Sequence, residues 1–168
     1  MPIEAPALVA VTGANGFIAQ HCIAALLEKG YRVVGTVRSD AKVEAVRQAH
    51  GGGGAAQHPK LSRELMVPAV RGATALLEAC AAMRSVKRVV HTNSFACIYD
   101  AAAGLQPAKT YTARDWSPLT YADGVSAPDA ATAYRACKTA AERAAWRFVA
   151  ANDKKSRAAA VGPAASPR

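Results

Sequence analysis

Apolar residues along the chain fall into three short β-branched runs and four longer stretches of helical spacing, a pattern that predicts an α/β fold. Residues 7–12 (ALVAVT) have the length and composition of a buried parallel strand, which stops at Gly13. Phe17, Ile18, His21, Cys22, Ala25 and Leu26 then recur at helical spacing, and Gly30 ends that helix. Residues 31–37 form a second β-branched strand, after which Ser39 or Asp40 caps a helix running to about His50. The glycine run 51–54 is too costly in backbone entropy for an element interior and predicts a loop or linker. Leu65, Val70, Leu76 and Leu77 describe one long helix over 61–83, with Pro68 near enough to its start to be accommodated. Residues 88–91 (RVVH) predict a third strand that empties into Thr92, Asn93 and Ser94. The Gly-, Pro-, Thr- and Asp-rich residues 100–128 predict a long excursion. Asp129 then caps a helix over 130–151, whose bulk comes from Trp146, Phe148 and Val149.

Composition thins this picture. The chain has 168 residues, enough for one domain, and 51% of them are hydrophobic, but 41 are alanine and only 6% are aromatic. The expected organisation is one domain over 1–151 and a disordered tail over 152–168, rich in Ala, Lys, Pro and Ser. No run of large apolar residues predicts a membrane span, and the N-terminus lacks the basic opening of a secretory signal. Cys22, Cys80, Cys97 and Cys137 lie far apart, with no histidine at ligand spacing. That argues against a disulfide framework or a metal site and for reduced thiols in a cytoplasmic setting. The net charge of +9 would suit a polyanion. Yet the basic residues are scattered, and no aromatic residues interleave with the one tight group, Lys154, Lys155 and Arg157, so a nucleic-acid partner is not expected.

Three groups of residues carry candidate chemistry. In TGANGFIA (12–19), Gly13 permits a tight turn, Gly16 lets the backbone approach a pyrophosphate, and the small Ala19 lets helix and strand pack closely. The helix that follows offers free N–H groups to the anion. Arg38, about 20 residues on at the end of the second strand, stands where the adenosine ribose of a dinucleotide is read, with Lys42 a helical turn beyond. An arginine there suits the 2′-phosphate of NADP. The third group is Tyr134 and Lys138, four apart on one helical face, where the ammonium would stabilise a phenolate and let the tyrosine give or take a proton. Ser94, at the end of the third expected strand, completes a hydroxyl, phenol and amine set.

Together these segments resemble the extended short-chain dehydrogenase/reductase superfamily, and within it the dihydroflavonol-reductase-like branch of NADPH-dependent aldehyde and ketone reductases, methylglyoxal-type reductases included. The carrying residues are TGANGFIAQH (12–21), GTVRS (35–39), LMVPAVRGATALLEAC (65–80), SVKRVVHTNSFACIYD (85–100), YTARDWSPLTY (111–121) and AYRACKTAAERAAWRFV (133–149). The resemblance implies that Gly13, Gly16, Phe17 and Ile18 line the pyrophosphate, and that Arg38 and Lys42 hold the 2′-phosphate. It makes Tyr134 the general acid, Lys138 its partner and a ribose ligand, and Ser94 the hydrogen-bond donor to a carbonyl oxygen. Asn93 departs from the Ser or Thr usual beside that serine.

The same resemblance implies an incomplete Rossmann-type, doubly wound parallel sheet, so that residues 1–151 are expected to form a partial NAD(P)-binding domain. Residues 51–60 stand where the family has two strands and their crossovers, and ten residues cannot supply them. The C-terminal substrate domain of the family is likewise expected to be missing. The expected function is NADPH-dependent reduction of a small aldehyde or ketone to an alcohol, impaired by these losses. An epimerase/dehydratase or 3β-hydroxysteroid dehydrogenase relative shares the same motifs. A non-catalytic nucleotide-binding or interaction fragment, pairing through exposed strand edges, is the alternative from another class.

Overall fold

The computed structural model describes residues 3–37, 39, 42, 43, 46 and 63–152. The chain divides into two compact units, Met1–Pro59 and Lys60–Arg168. The expected tail from 153 onward, Arg38 and the glycine run 51–54 lie outside the described residues.

The first unit is a β–α–β crossover. Strand β1 (Leu8–Thr12) and strand β2 (Arg32–Thr36) pair in parallel, with Val9 opposite Val33 and Thr12 opposite Thr36. Helix α1 (Phe17–Glu28) joins them. It stops where expected: Gly30 adopts a φ of +79°, its N–H bonds the Leu27 carbonyl, and the Tyr31 N–H reaches back to Leu26. Close contact behind β1 requires a second glycine, since a Cβ on Gly35 would stand 2.7 Å from that of the fully buried Ala14.

Two expectations fail in this unit. The strands are not buried on both faces: Leu8, Ala10 and Thr12 of β1 are exposed, as are Arg32 and Val34 of β2. Helix α1 also presents a different side inward, covering Ala19, Ile23 and Leu26 while Phe17, Ile18, His21, Cys22 and Ala25 face solvent. Helical spacing alone does not say which of two apolar stripes a sheet will cover.

The second unit is a helical pair with a hydrogen-bonded strap. Helix α2 (Arg63–Ala82) packs along helix α4 (Ala130–Ala151). Met66, Ala136 and Cys137 fill one end of the seam, supported by Leu65, Ala69, Leu119 and Val125. Leu77, Val89 and Ala145 fill the other end against Cys80, Val86 and Phe148. Each large aliphatic chain so enclosed contributes about 1.5–3 kcal/mol. The inward residues of α4 are mainly small, with Ala133, Ala136, Ala141, Ala144 and Ala145 buried, and its bulkier Trp146, Phe148 and Val149 are half-buried. Over Leu65–Ala82, α2 is long and apolar enough to cross a membrane by length and composition alone. Six alanines raise its mean hydropathy over that span.

The expected strand over 88–91 is absent among the described residues; the chain there joins no ladder. A strand exists only with a neighbour, and the recorded sheet has two members, β1 and β2. After a single 3-10 turn (Phe95–Cys97), the excursion over 100–128 is held by local bonds and contains an unexpected short helix, α3 (Tyr121–Val125). Thr120 and Asp123 close a reciprocal capping box at its start. Ser117 ties the strap down: its N–H bonds the Cys97 carbonyl at 2.7 Å and its carbonyl accepts from Arg143 at 3.2 Å. Helix α4 begins as predicted, with the Asp129 carboxylate accepting from the Thr132 N–H and hydroxyl, both at 2.8 Å.

Candidate functional site

In the first unit the turn between β1 and α1 has the conformation its glycines suggested. Gly13 sits at φ +63°, in the left-handed region, and the Gly16 N–H returns to its carbonyl at 2.8 Å. The Ala14 N–H bonds the Thr36 carbonyl at 2.9 Å, fixing the turn to β2. A Cβ on Gly16 would lie 3.1 Å from the Gly13 oxygen, so a larger residue would crowd the turn. Gly16 is the N-cap of α1, and no side chain caps that helix. Its first N–H groups, from Phe17 onward, are left for an anion, and no acidic residue stands in the first turn to repel one. The residues present therefore fit a dinucleotide pyrophosphate. Phe17 and Ile18 are 74% and 59% exposed, and the Phe17 ring meets that of His21 edge-on at 4.7 Å. Lys42 is exposed on a helical segment, its N–H bonded to the Ser39 carbonyl.

In the second unit the structure brings Ser94, Tyr134 and Lys138 onto two neighbouring elements. Ser94 is half-buried at the start of the 3-10 turn, and its Oγ accepts from the Ala96 N–H at 3.2 Å. That leaves the hydroxyl proton to be donated. Tyr134 projects from the second turn of α4 and is 43% exposed, while Lys138 lies one turn further along. The Lys138 Nζ lies over the Tyr134 ring, 5.7 Å from its centroid. Asn93 joins the two elements: its Nδ2 donates to the Lys138 carbonyl at 3.3 Å and to the Glu142 carboxylate at 2.5 Å.

Residues that the sequence reading did not single out surround this group. Glu142 is 1% exposed and also accepts from the Trp146 indole at 3.3 Å. Its spacing, four residues beyond Lys138, places it on the stripe of Tyr134 and Lys138, but an acid on a helix usually faces solvent. His91 is held below its ordinary value of 6.5, first by burial and then by Lys138, with Glu142 pulling the other way. Burial pushes the Cys97 thiol up to about 12, and the neighbouring Glu142 adds to the rise. Beyond Ser94 stands an aromatic wall. Phe95, 56% exposed, stacks on Tyr99 at 5.2 Å, and Tyr111 meets both rings edge-on. The Tyr99 hydroxyl lies 3.4 Å from the Arg135 guanidinium.

Residues 9–51 match the NAD dependent epimerase/dehydratase family. The chain is 31% identical to the NADPH-dependent methylglyoxal reductase GRE2 of Saccharomyces cerevisiae, over 188 aligned positions that take in 86% of this chain and 53% of that protein. It is 30% identical to aldehyde reductase 2 of Sporidiobolus salmonicolor, with the same coverage of each. Its fold matches the crystal structure of yeast methylglyoxal/isovaleraldehyde reductase Gre2 complexed with NADPH at a TM-score of 0.80 and 27% identity, covering 93% of this chain and 56% of that one. The α/β arrangement is thus of the Rossmann-like kind that the glycine turn implied. The chain spans about half the length of the curated relatives it matches. Because 188 aligned positions exceed the 168 residues of the whole chain, the yeast reductase has segments inside the matched span that this chain lacks.

Proposed function

We propose that the chain is a member of the NAD dependent epimerase/dehydratase family, within the short-chain dehydrogenase/reductase superfamily, and that it carries out the NADPH-dependent reduction of a small aldehyde or ketone to an alcohol. The observation that carries this reading is the Asn93 bridge. It holds the segment bearing Ser94 against the turn of α4 that bears Lys138, one turn from Tyr134. A hydroxyl, a phenol and an ammonium gathered in this way are what a carbonyl needs as it gains negative charge.

When bound, the nicotinamide would supply the hydride. The chain's own residues do the rest. Ser94 donates a hydrogen bond to the carbonyl oxygen, keeping its proton, and fixes the carbonyl's direction. Tyr134 gives that oxygen the proton that makes the alcohol, and Lys138 stabilises the phenolate left behind. Gly13, Gly16 and the first N–H groups of α1, those of Phe17 and Ile18, receive the pyrophosphate. Arg38 and Lys42 would hold the 2′-phosphate that separates NADP from NAD. On this reading residues 1–151 act as one dinucleotide-binding domain, and the segments missing from the matched span fall around residues 51–60.

A second reading, a cofactor-binding module with little turnover, draws on one observation: the segment leading to Ser94 forms no strand. Small displacements of reacting groups cost on the order of a hundredfold in rate. Calorimetric titration with NADPH, followed by steady-state reduction of methylglyoxal and isovaleraldehyde, tests both readings. Binding with turnover that Tyr134→Phe abolishes supports the reductase. Binding without turnover supports the module, and absence of NADPH binding overturns both.

A further inference from the structure

The buried carboxylate of Glu142 has no part in the chemistry just described, yet it lies at the centre of the contacts around it. Its Oε2 accepts from the Asn93 side chain and its Oε1 from the Trp146 indole. The Cys97 thiol is a further hydrogen-bond partner, and His91 and Lys138 lie within its electrostatic reach. Helical spacing sets it on the stripe of Tyr134 and Lys138, at intervals of four residues.

Asn93 shows what this contact demands. An asparagine amide has two protons, and both are directed into α4, one to the Lys138 carbonyl and one to the Glu142 carboxylate. The cost is visible, because the Asn93 Oδ1 is buried without a hydrogen-bond partner among the described residues. A charge-assisted bond is strong enough to hold the amide in that orientation despite the orphaned oxygen. Ser94 is the next residue, so the same two bonds define where its backbone starts and where its Oγ meets the Ala96 N–H.

We propose that Glu142 is a positioning residue, whose buried carboxylate clamps Asn93 and thereby sets Ser94 against the helix that carries Tyr134 and Lys138. Its place in catalysis rests on the reductase reading, whereas the clamp itself stands without it. A hydroxyl at position 93 can offer only one proton where the amide offers two, so in this chain the clamp takes a two-pronged form.

The test follows Ser94 directly, by backbone amide exchange and chemical shift in the full chain without cofactor. Glu142→Gln removes the charge and leaves one oxygen for the two N–H donors, of Asn93 and Trp146, that converge on the carboxylate, so the charge-assisted prong is lost. It is expected to shift the Ser94 and Ala96 amides and to speed Ala96 exchange about tenfold, the scale of one hydrogen bond's net contribution. Amides in the middle of α4 should stay protected. Asn93→Ser in the Glu142→Gln background, where a hydroxyl can accept from the new amide, should restore much of the Ala96 protection. If Glu142→Gln fails to fold, Asn93→Ala carries the test, since it deletes both prongs and leaves the carboxylate in place. Ala96 exchange that is unchanged in the folded variant overturns the proposal, and so does movement of the Trp146 indole signal alone, which would make Glu142 an anchor for that ring. Where the parent chain turns over, Glu142→Gln should lower kcat with the KM for NADPH unchanged. A parent without turnover counts against the reductase reading only, because the exchange result decides the clamp independently.

Discussion

Lys138 holds its Nζ 5.7 Å from the centroid of the Tyr134 ring, one turn along the same helix. The ammonium therefore stands over the ring face, and Tyr134 is 43% exposed. Tyr134→Phe keeps the ring and the cation over it but removes the proton. Any NADPH-linked carbonyl reduction by this chain should fall by about 10²–10⁴-fold in kcat, the range for a lost general acid. Steady-state rates at saturating NADPH check this, and a Tyr134→Phe variant as active as its parent would remove Tyr134 from the chemistry.

Gly124 in α3 supports the same helix from the other side. A Cβ there would meet the Met66 sulfur at 2.5 Å, its methyl at 2.8 Å and the Ala136 Cβ at 2.9 Å, with Met66 and Ala136 both fully buried. Gly124→Ala should cost about 1–3 kcal/mol through overpacking. For a chain of this size the melting temperature drops about 2–4 °C for each kcal/mol. Because Met66 supplies two of the three clashes, adding Met66→Ala to Gly124→Ala should destabilise by less than the two single changes predict together. Thermal melts of the three variants measure that coupling.

The helices were legible because their signals are local. Asp129 with Thr132, and Gly30 after α1, set helix ends through bonds within a few residues. The capping box of Thr120 and Asp123 is equally local, and α3 escaped notice only because the Gly- and Pro-rich composition around it argued for a loop. What depends on distant partners was not legible. Residues 88–91 have strand composition, but a ladder requires a second strand that the sequence of one segment cannot promise. The buried stripe of α1 passes through Ala19 and Ile23 instead of His21 and Cys22, and only the packed sheet decides between them. Of the candidate site, Tyr134 and Lys138 could be paired from their spacing, and Ser94 could be reached from its place after residues 88–91. Glu142 could not, because an acid on a helix usually faces solvent and its burial depends on Asn93 arriving from 49 residues away.

The four cysteines should separate by reactivity. Cys22 is exposed on α1, whereas Cys97 and Cys137 are buried, and all four are free thiols. Burial pushes Cys97 up to about 12 from an ordinary 9.0 and moves Cys137 in the same direction. At pH 8 the thiolate of Cys97 is thus about a thousandfold scarcer than that of an ordinary thiol. Disulfide-reagent labelling of the native chain should modify Cys22 promptly, and Cys97 and Cys137 only after denaturant is added. Prompt modification of Cys97 in the native chain would contradict the packing of the strap.

His91 makes the chain sensitive to mild acid. Burial lowers its affinity for a proton below the ordinary 6.5, Lys138 lowers it further, and Glu142 offsets part of the effect. The unfolded chain therefore takes up a proton near pH 6.5 that the folded chain accepts only at lower pH. Stability present above 6.5 is lost as the pH falls through the interval down to the lowered folded value. Asp115, Asp123 and Asp129 lose their own hydrogen-bonded advantage only below the ordinary carboxylate value of 3.8, so they act in a separate window. Urea unfolding midpoints between pH 7.5 and 5 should fall steadily for the parent chain. In His91→Gln, which cannot take up that proton, the slope over this interval should be shallower; equal slopes in the two proteins would mean that His91 is not the group being titrated.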